Sequence, residues 1–255
     1  MTALDAKAGL WCRRYHPAPQ AANRLICFPH AGGSASFYFP VSAQLSPGTD
    51  VVAVQYPGRQ DRRSEPCIDD IRQLADELYP VLRPLADRPL TFFGHSMGAV
   101  IAFEVARRFE RDGEGPVHLF ASGRRAPSRY REDEDVHTRD DDGILAEIRS
   151  LNGTDAQVFA DDEIMRMVLP ALRSDYKAVE TYRSEPGAVL RCPITVLTGD
   201  ADPKTSMDEA RDWQAHTSGA FDLKVFQGGH FYLGSRPGEV LKVLSVHLDA
   251  LAAKA

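Results

Sequence analysis

Short runs of consecutive apolar residues recur along this chain, separated by stretches long enough to hold a helix. They are Leu25–Phe28, Val51–Val54, Leu90–Phe93, Val117–Phe120, Ile194–Leu197 and Leu223–Phe226. Most are continuous rather than alternating, which is the pattern of strands covered on both faces. Between them, apolar positions return at helical spacing over 71–85, 99–109, 208–217 and 239–251. Pro80 predicts a kink or a break in the first of these. The alternation of strand and helix specifies an α/β fold with a mostly parallel central sheet flanked by helices. No internal repeat or low-complexity linker interrupts it.

One stretch departs from the alternation. Residues 126–185 hold no convincing strand. The stretch opens with the charged segment Arg129 to Asp135, then predicts a short helix over 144–151 entered from Asp140, Asp141 and Asp142. A longer helix is predicted over 162–182, with Met165, Val168, Leu169, Leu172, Tyr176 and Val179 on one face and Pro170 marking a kink or break. The organisation expected is a single domain over 1–255 with a helical insertion at 126–185.

The candidate chemistry begins at Gly94-His95-Ser96-Met97-Gly98, a G-x-S-x-G pattern between an apolar run and the helical run starting at Ala99. Strand, tight turn and helix form the setting of a nucleophile elbow. Side chains at Gly94 and Gly98 would collide with the neighbouring strand and helix, so glycine is required at both. Serine hydrolases of this layout commonly carry a lid where the insertion falls, so 126–185 is expected to cap Ser96.

A serine hydroxyl needs a base to take its proton. For this elbow the expected chain order is Ser, then Asp or Glu, then His. His230, in Gln227-Gly228-Gly229-His230-Phe231 just past the last strand run, is the candidate base. His216 and His247 fall in helical patterns, His118 lies on a strand, and His95 is too constrained to reach back to Ser96. The orienting acid is sought in Gly199-Asp200-Ala201-Asp202-Pro203. Asp202 is preferred because it lies deeper in the loop, while Asp200 suits a backbone hydrogen bond within the turn. The oxyanion would be held by the backbone N–H of Met97 and by one from His30-Ala31-Gly32-Gly33, with Ala31 the expected donor.

Composition narrows the function classes. The chain has 255 residues and a net charge of −6, so it lacks the basic footprint of a nucleic-acid binder. No apolar run approaches a bilayer span, and the first residues hold no secretory h-region. Cys12, Cys27, Cys67 and Cys192 show no metal spacing, and the expectation is a reduced, cytoplasmic protein with neither metal nor organic cofactor.

Taken together, these segments resemble the type II thioesterases that accompany polyketide synthases and non-ribosomal peptide synthetases. The resemblance rests on Phe28-Pro29-His30-Ala31-Gly32-Gly33, Gln55-Tyr56-Pro57-Gly58-Arg59, the Ser96 elbow, Ser122-Gly123-Arg124-Arg125-Ala126-Pro127, Asp175-Tyr176 with Glu180-Thr181-Tyr182, the Asp202 loop and Gly228-Gly229-His230-Phe231-Tyr232-Leu233. It implies an α/β-hydrolase fold with a helical lid and the triad Ser96, Asp202 and His230. It also implies hydrolysis of acyl groups from the phosphopantetheine thioester of acyl or peptidyl carrier domains, removing stalled or misprimed units. The phosphopantetheine would arrive with the substrate. The chain begins at Met1 with no carrier domain ahead, so the stand-alone form is expected, as a monomer. The loop after Asp202 departs from the family, since Pro203-Lys204-Thr205-Ser206 has no small apolar residue soon after the acid. The apolar face with Met165, Val168, Leu172 and Tyr176 is expected to wall the acyl pocket. The clusters Arg59, Arg62, Arg63 and Arg124, Arg125, Arg129, Arg131 are candidate docks for an acidic carrier. The alternatives are an esterase or acyltransferase on small soluble acyl substrates, and a non-catalytic interaction protein that keeps the fold.

Overall fold

The computed structural model describes residues 9–152 and 162–254. Among these, seven strands form one sheet: β1 (Cys12–Arg13), β2 (Arg24–Phe28), β3 (Asp50–Val54), β4 (Leu90–His95), β5 (His118–Ser122), β6 (Ile194–Gly199) and β7 (Phe221–Phe226). Their spatial order is β1-β3-β2-β4-β5-β6-β7, with β1 antiparallel to β3 and each other neighbouring pair parallel. All six predicted strand runs are present. β1 escaped the sequence reading because two residues carry no period.

Helices cover both faces, as the continuous apolar strands require. Along β2, Ile26 and Phe28 face a core built with α2 (Ile71–Leu82) and α3 (Met97–Arg111). Leu25 and Cys27 face the opposite core, closed by α1 (Phe39–Leu45) and α8 (Pro237–Ala252). Pro80 does not break α2: it is exposed, and the helix runs on to Leu82 before tightening into a 3-10 turn at Arg83–Leu85. No helix among the described residues is long and apolar enough to cross a membrane.

The topology sets where a site can form. From β2 the chain moves outward to β3, then crosses back past β2 to β4 and continues the other way. Loops leaving the carboxyl ends of β2 and β4 therefore diverge and leave a crevice between them, the position where open α/β sheets bind ligands.

Between β5 and β6 lie α4 (Asp141–Asn152) and α5 (Asp162–Thr181). The predicted stretch 126–185 holds no strand among its described residues, and positions 153–161 lie outside them. Asp140 begins α4 by accepting a hydrogen bond from Gly143 N–H at 2.8 Å. The expected break at Pro170 does not occur. Pro170 is exposed, and the burial of Leu169, Leu172 and Tyr176 on the inner face holds α5 continuous against its local cost. These residues join Val136, Ile144, Leu145 and Ile148 in a separate small core that also packs on Ala31.

α6 (Met207–Arg211) and α7 (Tyr232–Ser235) are short, and α6 passes into a 3-10 turn at Asp212–His216, where a longer helical pattern was expected. Past the end of α5, the Tyr182 hydroxyl donates to Glu104 Oε1 on α3 at 2.7 Å. Glu104 is 2% exposed and also accepts from Arg107 and Arg108. A hydrogen bond to a buried charge contributes about 1.5–3 kcal/mol. Tyr182→Phe should therefore lower unfolding stability by about 1–2 kcal/mol in urea titration; an unchanged midpoint would mean that other contacts anchor this end of the insertion.

Candidate active site

The elbow takes a backbone conformation that the flanking glycines make possible. Ser96 has φ 54° and ψ −119°, a strained region for a non-glycine residue. A Cβ on Gly94 would lie 2.2 Å from Gly98 O, and one on Gly98 would lie 2.0 Å from Phe28 O at the end of β2. Ser96 N–H donates to Ser122 O of β5 at 2.7 Å, pinning the apex to the next strand. Met97 is the first residue of α3, so its N–H is one of the donors a helix start leaves free.

His230 enters from the loop after β7. Its Nε2 is 3.0 Å from Ser96 Oγ, and its Nδ1 is 2.9 Å from Asp202 Oδ2 and 3.0 Å from Oδ1. Both His230 and Asp202 are buried, at 2% and 8% exposure. Asp202 Oδ1 also accepts from Lys204 N–H at 2.8 Å. Asp200 acts on backbone instead, as its Oδ1 accepts from Gly228 N–H at 2.9 Å and ties the two loops together. The unusual Pro203-Lys204-Thr205 sequence leaves this geometry intact, with Thr205 buried where a small apolar residue was anticipated.

The loop after β2 faces the same crevice. Ala31 lines one small cavity together with His30, Ser96 and His230. The next N–H, on Gly32, is already engaged: it donates to Asp175 Oδ2 on α5 at 2.8 Å. Gly32 has φ 72°, which glycine adopts without strain. Asp175 in turn receives both arms of Arg59, at 2.8 and 2.9 Å, and Arg59 also donates to Gly33 O at 3.1 Å.

Two further histidines surround His230. His95, directly before Ser96, is fully buried and contacts Ser122 Oγ at 2.9 Å, which in turn meets the Tyr232 hydroxyl at 2.5 Å. Burial and the nearby His230 and His30 hold its pKa well below the ordinary value. His30 packs edge-on against Phe37 and Phe231, and burial with the charges of His230 and Arg59 pushes it down to about 3. Both rings stay neutral near pH 7. His216 and His247 have packing roles: His216 bonds Ala188 O and Ser128 Oγ, and His247 meets Thr91.

Two expectations are corrected. The arginine clusters are not continuous surface patches, because Arg59, Arg62, Arg124 and Arg125 point inward while Arg63 and Arg129 are exposed and Arg131 is half-buried. Arg59, Arg62, Arg124 and Arg125 are 6%, 3%, 7% and 1% exposed. Arg59 serves Asp175, Arg62 pairs with Glu65 and lies over Trp11, and Arg125 pairs with Glu134. Arg124 donates to Val179 O at 3.4 Å, and burial together with Arg125 lowers its pKa to about 9. Arg129 and Arg131 reach solvent but bridge to Asp212 and Glu209. The apolar wall also differs. Tyr176 and Val179 line the cavity, whereas Val168 and Leu172 pack in the core of the insertion, and the side chain of Met165 lies outside the described residues. The Arg59–Asp175 pair had no local signal, since its members lie 116 positions apart.

Gly98→Ala should cost about 1–3 kcal/mol and lower esterase turnover together with it, because the clash is with backbone that cannot turn aside; a wild-type melting curve would contradict the close approach. Acid should also destabilise the fold. His30 and His118 are both lowered to about 3, chiefly by burial, from an ordinary 6.5. Below pH 6.5 the unfolded chain therefore binds protons that the folded one does not, and stability falls as pH drops toward 3. Unfolding free energy at pH 5 should lie below that at pH 7.5 by about 2 kcal/mol for each such ring. A flat profile in urea titrations would show that these rings titrate normally.

Known proteins resemble this chain over most of its length. The thioesterase-domain family profile matches residues 23–247. A probable cadicidin biosynthesis thioesterase of Streptomyces griseus is 60% identical over 98% of this chain, which spans 66% of that protein. Thioesterase PikA5 of Streptomyces venezuelae is 52% identical over 96% of this chain and 88% of its own length. The solved structure of the type II thioesterase BorB from the borrelidin biosynthetic cluster superposes with a TM-score of 0.90 at 54% identity, covering 94% of this chain and 98% of that one. The chain thus belongs to the thioesterase family, thioester hydrolases of the α/β-hydrolase fold, and sits among the type II thioesterases of polyketide and peptide synthase pathways.

Proposed function

We propose that this chain is a stand-alone editing thioesterase, which hydrolyses acyl groups from the phosphopantetheine arm of acyl or peptidyl carrier domains. The observation that carries the reading is the continuous chain of contacts from Asp202 through His230 to Ser96 Oγ, at 2.9 and 3.0 Å. His230 Nε2 takes the Ser96 proton as Oγ attacks the thioester carbonyl. Asp202 holds the Nδ1–H tautomer and stabilises the imidazolium that forms. The oxyanion collects at the N–H groups of Ala31 and Met97, and His230 returns the proton to the departing thiolate sulfur. Water then attacks the acyl-Ser96 ester, His230 takes its proton, and the carboxylic acid leaves with Ser96 restored. The cycle calls for neither metal nor organic cofactor.

The size of the cavity supports a gating role for the insertion. About 30 Å³ is open beside Ser96, room for a water or two. On this reading α5, which contributes Tyr176 and Val179 to the cavity, shifts outward to admit an acyl group.

The test is intact-mass spectrometry of carrier proteins loaded with acetyl, propionyl or longer acyl groups. Wild type should remove the acyl mass. Ser96→Ala and Asp202→Asn should each slow removal by about 10³-fold or more while folding normally. Acyl carriers left intact by an enzyme that still cleaves small esters would instead favour a hydrolase of soluble substrates.

A further inference from the structure

The loop that carries the proposed oxyanion donor Ala31 is tied to the insertion by one buried carboxylate. Asp175, 1% exposed on α5, accepts from Gly32 N–H with Oδ2 at 2.8 Å. The same oxygen accepts from Arg59 Nη1 at 2.8 Å, and Oδ1 accepts from Nη2 at 2.9 Å. Arg59 Nη1 reaches Gly33 O at 3.1 Å, its Nε reaches Pro57 O at 3.2 Å, and its guanidinium lies 5.1 Å from the Tyr56 ring centroid. Gly32 itself is pressed against α5, because a Cβ there would fall 2.2 Å from Leu172 Cδ2.

A buried ion pair is a poor source of net stability, since apolar side chains of the same volume do as well or better. Its distinctive property is direction. A forked guanidinium and a carboxylate meet in one planar setting, and apolar packing does not impose one. Here that setting restrains the peptide on the C-terminal side of Ala31, a residue that lines the same cavity as Ser96.

We propose that Asp175 and Arg59 are positioning residues that latch the oxyanion loop to α5, so that Ala31 N–H is aimed at the reacting carbonyl only while α5 is seated. The inference rests on the proposed roles of Ser96 and Ala31. It joins two events that would otherwise be independent. Lifting α5 to admit an acyl group strains or breaks the Gly32–Asp175 bond and slackens the donor. Reseating α5 over the bound acyl chain restores it, so acylation follows closure.

The test compares three proteins with wild type. Asp175→Asn keeps an amide oxygen for Gly32 N–H. Arg59→Met with Asp175→Leu removes both charges together and leaves no orphaned ion. Arg59→Lys keeps the charge and loses the fork. Each is assayed by thermal melting, by kcat and KM on an acyl-N-acetylcysteamine thioester, and by the rate at which a fluorophosphonate labels Ser96. Labelling reads the oxyanion donors without needing substrate turnover. The double variant should melt near wild type, lose about tenfold or more in kcat with KM changed less than about threefold, and label more slowly in proportion. Asp175→Asn should recover most of both rates. If the double variant does not fold, the same parallel loss is expected of Arg59→Lys. Wild-type kcat and labelling in the folded variants overturn the latch, and so does a loss confined to KM. Labelling that persists in Ser96→Ala instead overturns the nucleophile assignment on which the latch depends.

Discussion

The first turn of α3 passes so close to the end of β2 that no side chain fits between them. Gly98 has backbone oxygen of Phe28 where its Cβ would be, and Gly94 has the backbone of Gly98. This backbone-to-backbone approach bends the chain sharply enough to hold Ser96 at positive φ. It also brings the Ser96 turn beside the loop that follows β2. The crossing from β3 back to β4 makes the two loops neighbours, and the glycines let them touch. The Ser96 hydroxyl and the backbone of Ala31 thereby share one crevice, although the two are far apart in sequence.

Around that crevice, buried polar groups are arranged so that each charge has a specific partner. Asp202 holds His230, Asp200 joins the loops that carry them, and Asp175 with Arg59 binds the loop after β2 to the insertion. His95 and His30, kept neutral by burial, pack beside His230 without adding charge to it. The low-dielectric surroundings strengthen each pairing and raise the cost of leaving any member alone.

Much of the fold was legible because its signals are local. Strands covered on both faces must be continuously apolar, and those runs matched six strands of the sheet. The elbow, His230 and Asp202 were legible because each sits in a short loop just past a strand, where glycine, proline and aspartate have few other reasons to cluster. The arginine clusters misled for the opposite reason. A run of arginines reads as surface until its partners are known, and Asp175, which takes up Arg59, lies on a segment whose approach depends on the whole fold. Pro170 does not break α5, because the burial of the helix on one face outweighs the local cost of one missing donor.

The sequence by itself determined the strand and helix pattern, the elbow, and the candidate base and acid. Each of these follows from residue type and near neighbours. Only the tertiary structure decided which N–H of the loop after β2 is already engaged, because Asp175 claims the one on Gly32. It also decided which apolar residues line the cavity and which fill the insertion, and that the Arg59 guanidinium, whose partner lies 116 positions away, is spent inside. These outcomes turn on distances between segments well separated along the chain, set by how the helices pack against the sheet, and no periodicity along the chain encodes them.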